Sequence, residues 1–146
     1  MQSYYQATRN FDIDQPVLNG EHETDVCIIG GGYTGLSSAL YLANEGVNVL
    51  LVESNKIASG ASGANGGQVS GGMRRDQFYL EQALGFQKAK ALWCIGEEAK
   101  YHAKDLIDKY KIQCDYKKGI AHPNHKQRYC EESKRYVDHM INKYDY

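Results

Sequence analysis

Six residues, Gly30-Gly31-Gly32-Tyr33-Thr34-Gly35, limit what this chain can fold into more than any other feature. They form a GxGxxG between a short apolar run, Asp25-Val-Cys-Ile-Ile29, and an amphipathic stretch from about Thr34 to Asn44. The run is rich in β-branched residues and reads as a strand buried on both faces of a parallel sheet, with Cys27 a small core residue. In the stretch that follows, Leu36, Leu40 and Ala43 recur at helical spacing as an expected inner face, and Gly46 supplies a left-handed stop. Val47 to Val52 is a second apolar strand. The order strand, glycine turn, helix, strand is a β-α-β unit in which each glycine has a task. Gly30 allows the tight turn, Gly32 lets backbone approach a pyrophosphate, and Gly35 lets helix and strand pack closely. The helix start offers free N–H groups and about half a positive charge to phosphates. Glu53 ends the second strand 18 residues after Gly35, where a carboxylate can accept hydrogen bonds from ribose hydroxyls. A carboxylate there repels a 2′-phosphate, so the expected ligand is a dinucleotide other than NADP.

A second signal follows. From Ser59 to Gly72 the chain is built of small residues, and 11 of its 15 glycines lie between Gly30 and Gly72. The stretch Ser59-Gly-Ala-Ser-Gly-Ala-Asn-Gly-Gly-Gln68 can line a pyrophosphate or a flavin with backbone amides and small hydroxyls; a flexible surface loop is the competing reading. Farther on, Gln77 to Leu84 and Lys88 to Tyr110 read as helices, the second with Leu92, Ile95, Ala99, Leu106 and Tyr110 on one face and Trp93 beside them. Ile112 to Tyr116 and Ile120 to His122 are candidate strands, and Asn124 to Tyr144 a polar helix carrying His139 on its exposed side. Two parallel strands alone leave open edges and uncovered apolar surface, so the fold is expected to be incomplete.

Charge and cysteine content narrow the setting. Residues 1–60 hold 7 acids and 2 bases, whereas residues 61–146 hold 11 acids and 15 bases. The bases, Lys100, Lys104 and Lys109 among them, are interleaved with acids as on a solvated helix face, so no nucleic-acid partner is expected. Cys27, Cys94, Cys114 and Cys130 are too far apart in sequence for a CxxC pair, and Cys114, His122, His125 and Cys130 match no familiar zinc spacing. With no leader-like N-terminus and no apolar run of bilayer length, a cytoplasmic protein with reduced thiols and no membrane partner is the expectation.

GGGYTGLSSALYLA, then VES, then GASGANGGQ together resemble the N-terminal part of FAD-dependent amine and amino-acid oxidoreductases of the D-amino-acid oxidase superfamily, nearest its gamma-glutamylputrescine oxidoreductase branch. Ser3-Tyr4-Tyr5, Ile112-Gln-Cys-Asp-Tyr116 and Gly119 are similar as well, so the resemblance runs over nearly the whole chain. It implies FAD as cofactor, with Gly30, Gly31, Gly32, Thr34, Gly35, Glu53 and Ser54 at the ADP part. Ala61, Ser62, Asn65, Gly66 and Gly67 fall near the pyrophosphate and flavin. Members often carry arginine where this chain has Ala64, which removes a cation from that loop.

The expected architecture is thus α/β: an N-terminal arm over 1–22, then a partial FAD-binding domain over 23–146 in which a Rossmann-like β-α-β unit is followed by helices. The resemblance places the substrate domain in sequence beyond Tyr146, which implies an N-terminal fragment or truncated product. It implies a parent activity of C–N bond oxidation on an amine or amino acid, catalytic residues outside this chain, and a complementing C-terminal chain as a partner. A non-catalytic nucleotide-binding fragment is the alternative. An NAD-binding dehydrogenase domain fits the first motif but leaves the second unexplained.

Overall fold

The computed structural model describes residues 4–10 and 13–146, so Ser3 of the Ser3-Tyr4-Tyr5 match lies outside the described residues. The chain divides into two compact units, one ending at Gly67 and the other running from Gln68 to Tyr146.

In the first unit, α1 (Tyr4–Thr8) lies in the expected arm, followed by β1 (Val26–Ile29), α2 (Tyr33–Asn44), β2 (Val49–Val52) and a 3-10 turn at Ala61–Gly63. β1 and β2 pair in parallel, Val26 opposite Val49 through Ile29 opposite Val52. Beyond the ladder, the Asp25 and Val26 amides donate to Asn48 O, and the Gly30 amide donates to Val52 O at 2.8 Å. Asp25 returns the contact by accepting from the Asn48 amide at 3.1 Å.

One expectation for this unit is overturned. Val26 and Ile28 are half-buried, but Cys27 is exposed and Ile29 is 88% exposed. Alternate strand residues point to opposite faces, and in this unit α2 covers only the Ile28 face. Cys27 is therefore a surface thiol and not a core residue. The inner line of α2 is also turned from the expected one. Gly35, Ala39, Leu40 and Leu42 are half-buried, while Leu36 and Ala43 are exposed. The cause is Gly35, whose absent side chain brings that line of the helix closest to the strands.

The second unit is helical: α3 (Gln77–Leu84), α4 (Phe86–Tyr110) and α5 (Arg128–Tyr144). Asp76 caps α3 by accepting from the Tyr79 amide at 2.8 Å, and Gly85 alone separates α3 from α4. Leu80, Ala89, Met140 and Tyr144 form the core, with Gln77 buried among them. Gln77 is satisfied there, its amide donating to Ala89 O at 3.1 Å and its backbone N–H to the Tyr136 hydroxyl at 3.3 Å.

The buried side of α4 runs through Ala89, Trp93, Gly96, Lys100 and Ala103, whereas Ile95, Ala99 and Tyr110 of the expected face are exposed. Gly96 decides this rotation, because its Cα side rests on the backbone of Gly72. The segments 112–116 and 120–122 form no strand, and α5 starts at Arg128. A strand needs a partner for its N–H and C=O groups, and the described sheet consists of β1 and β2 alone. His139 is not on an exposed side either; its side chain is 20% exposed and meets Glu81. Among the described residues, no helix is long and apolar enough to cross a membrane.

A methyl group at Gly96 would lie 2.6 Å from the Gly72 nitrogen. Alanine ordinarily favours a helix interior by about 1 kcal/mol over glycine, but here backbone must move. Gly96→Ala should therefore destabilise the second unit by about 1–3 kcal/mol, measured by denaturant unfolding followed through Trp93 fluorescence.

Candidate functional site

The glycine motif is built by close contact. Gly30 turns with φ 105°, and Gly35 then sits so near the Gly30 carbonyl that any Cβ would overlap its oxygen. That contact places the first turn of α2 directly over the end of β1. Gly32, at the N-cap, offers no side-chain cap, so the amides of Thr34 and Gly35 are among those with no intrahelical acceptor.

Glu53, at the end of β2, folds back on this turn. Its Oε2 accepts from the Gly31 amide at 2.7 Å, and its Oε1 accepts from the Asn55 amide at 2.9 Å and the Ser54 hydroxyl at 3.3 Å. Hydrogen bonds from the Gly31 and Asn55 amides, Gly31 first, hold its carboxyl below the ordinary value despite some desolvation.

The small-residue loop meets the same turn. The Tyr33 amide, first of α2, donates to Ser62 Oγ at 3.0 Å, and Asn65 Nδ2 donates to the Tyr33 hydroxyl at 3.2 Å. Asn65 Oδ1 accepts from the Gly67 amide at 2.7 Å, fixing the bend that leads out of the loop. The Ala58 amide donates to Gly31 O at 3.0 Å. The two glycine-rich signals, more than 20 residues apart in sequence, thus converge on one helix N-terminus.

The expected site residues do not all stand alike. Gly31 is buried, and Gly30, Gly32, Gly35, Glu53 and Ser62 are half-buried; Thr34, Ser54, Ala61, Asn65, Gly66 and Gly67 are exposed. Spacing alone missed Tyr33, Asn55 and Ala58, which join the two loops. Tyr33 occupies a variable position of the motif, and Ala58 adopts φ 57°, a conformation that an alanine does not announce.

This arrangement fits a dinucleotide such as FAD. A carboxylate oxygen has two lone pairs, and Glu53 Oε2 accepts from the Gly31 amide, so that oxygen is the one suited to a ribose hydroxyl. The amides of Thr34 and Gly35 supply an anion with donors at the positive end of the helix. Among the described residues, no three His, Cys, Asp or Glu side chains gather to hold a metal.

A family profile for FAD dependent oxidoreductases matches residues 25–145. The gamma-glutamylputrescine oxidoreductase of Escherichia coli is 42% identical over 117 residues, covering 80% of this chain and 28% of that protein. A probable oxidoreductase of Haemophilus influenzae is also 42% identical, over 122 residues, with 83% and 28% covered. One of Rhizobium meliloti is 34% identical over 144 residues, with 99% and 34% covered. The chain thus spans only about a third or less of the length of these relatives. No solved structure matches it significantly.

The lowered carboxyl of Glu53 has a pH signature. Its hold on the turn is present above the ordinary value of 4.5 and is lost as pH falls through the lower folded value. The Gly31 amide resonance should therefore shift with a midpoint below 4.5, and the transition should vanish in Glu53→Gln. A midpoint at or above the ordinary value would separate carboxylate from amide.

Proposed function

The chain belongs to the family of FAD dependent oxidoreductases, and from that premise we propose that its first unit holds the ADP part and pyrophosphate of FAD within an amine-oxidising enzyme. The observation that carries this reading is the convergence of Glu53, the glycine turn and Ser62 on the first turn of α2. The amides of Gly32, Thr34 and Gly35 bind the pyrophosphate. Glu53, oriented by Gly31, Asn55 and Ser54, accepts from the adenosine ribose. Ala61, Ser62, Asn65, Gly66 and Gly67 border the flavin side, where small side chains let backbone amides approach a flat ring. Ala64 leaves that border without a cation.

FAD, when bound, is the hydride acceptor that lets such an enzyme oxidise a C–N bond to an imine, which water then hydrolyses. The similarity to a gamma-glutamylputrescine oxidoreductase supports an amine of that kind as substrate. The residues that bind it correspond to the part of the relatives that this chain does not span. Residues 1–22 are the arm and 23–146 the partial cofactor domain.

Competition among FAD, NAD and NADP for the chain should rank FAD first; tighter binding of NAD with none of FAD would favour a dehydrogenase. Glu53→Ala should weaken FAD binding roughly ten- to hundredfold through loss of a charge-assisted hydrogen bond, read by titration calorimetry. The 146-residue chain mixed with FAD and gamma-glutamylputrescine under anaerobic conditions should show no flavin bleaching. Bleaching at an enzyme-like rate would place a complete substrate pocket within these residues.

A further inference from the structure

In the second unit, α5 is tied to α3 and α4 by side chains. A segment without helix or strand, 111–127, joins it to the end of α4. One polar tie of α5 is a three-residue cluster. Glu81 Oε1, on α3, accepts a hydrogen bond from the Tyr144 hydroxyl at 2.7 Å and lies 2.7 Å from His139 Nε2. The ion-pair side chains of Glu81 and His139 are only 22% and 20% exposed, so solvent offers limited replacement for these bonds. Rings surround the cluster: His139 lies 4.7 Å from Phe78, and Tyr144 lies 5.7 Å from Phe86 and 5.8 Å from Trp93.

We infer that Glu81, His139 and Tyr144 form a proton-sensitive latch that holds α5 on the α3–α4 hairpin and releases it when Glu81 takes up a proton. The charges around it support that direction. From α5, His139 and Lys143 face the carboxylate, with Tyr136 farther along the same helix and Arg135 over the Phe78 ring. From α4, Lys90 is engaged with Lys143 O and Asp145 and is not committed to Glu81. On α3, Asp76 is committed to the Tyr79 amide. A proton on Glu81 thus removes the negative charge that faces Lys143 and weakens the acceptor that the Tyr144 hydroxyl and His139 share, since a neutral carboxyl accepts less strongly than a carboxylate.

Burial alone would raise the Glu81 carboxyl. The Tyr144 and His139 hydrogen bonds, with the charges of His139 and Lys143, outweigh burial and hold it below the ordinary value. Burial and the same carboxylate push the Tyr144 phenol up to about 12. A carboxyl held low stabilises the docked state above its ordinary value of 4.5 and withdraws that stabilisation as pH falls through the folded value. Release therefore belongs to the acid side.

Trp93 is the only tryptophan in the chain, and its ring centroid lies 5.8 Å from those of Tyr144 and of Tyr146. Its emission thus reports docking directly. Titrating the full chain downward should red-shift Trp93 emission in one step below pH 4.5 while the far-UV helix signal persists. Tyr144→Phe keeps the ring but removes a donor, and should raise the midpoint by about one pH unit. Glu81→Gln should be red-shifted already at neutral pH and show no acid step. Simultaneous loss of Trp93 burial and helix signal in the unsubstituted chain would overturn the latch. So would a midpoint unmoved by Tyr144→Phe, or an intact acid step in Glu81→Gln.

Discussion

The geometry of the first unit depends on the contact between Gly35 and the Gly30 carbonyl. Because no Cβ intervenes, α2 starts immediately against the end of β1, and the Gly30 and Gly31 amides of the turn before it meet the end of β2. Only then can Glu53, four residues after Val49 opens β2, reach the Gly31 amide at 2.7 Å. The same closeness lets Ser62 accept the Tyr33 amide at 3.0 Å. Strand pairing, helix start, acid and loop are therefore one construction. A change at Gly35 would disturb all four at once, whereas a change at Asn65 would loosen only the loop.

The sequence makes this unit legible because its requirements are local. A strand of β-branched residues, a glycine turn and an acid at the next strand end are each written within a few positions, and β1, α2 and β2 lie within three residues of where periodicity puts them. What sequence could not show is which side of each element is covered. Cys27 looks like a core residue because a parallel strand is usually buried on both faces; in this unit its face has no covering layer. Periodicity names the apolar residues of a strand but not the layer that meets them.

The helical unit shows the opposite limit. On α4, apolar residues suggest a face through Ile95 and Ala99, yet the buried side passes through Ala89 and Gly96. Small residues carry little weight in a hydrophobic pattern, but they set the distance of closest approach and so the rotation of a helix. The links among Glu81, His139 and Tyr144 were illegible for another reason: they join positions 58 and 63 residues apart, and no local pattern records a pair at that range. The strands anticipated near Ile112 and Ile120 fail because a strand is completed only by its neighbour.

Burial is divided unequally between the units, and that bears on how the proposed cofactor would act on the fold. In the described part of the first unit, Gly31 alone is buried, and the apolar strand residues reach only partial cover. The unit's order comes from backbone pairing and from the hydrogen bonds that close on α2. A ligand bound to the amides of that turn and to Glu53 would add bonds to the very groups that hold the unit together. Such binding favours the folded state by mass action, in proportion to the logarithm of ligand concentration over its dissociation constant. The second unit has its own buried set, Leu80, Ala89, Met140 and Tyr144. Cofactor binding should thus tighten the β-α-β unit, whose own buried apolar surface is small; the helices are held by their buried set and by the charge on Glu81.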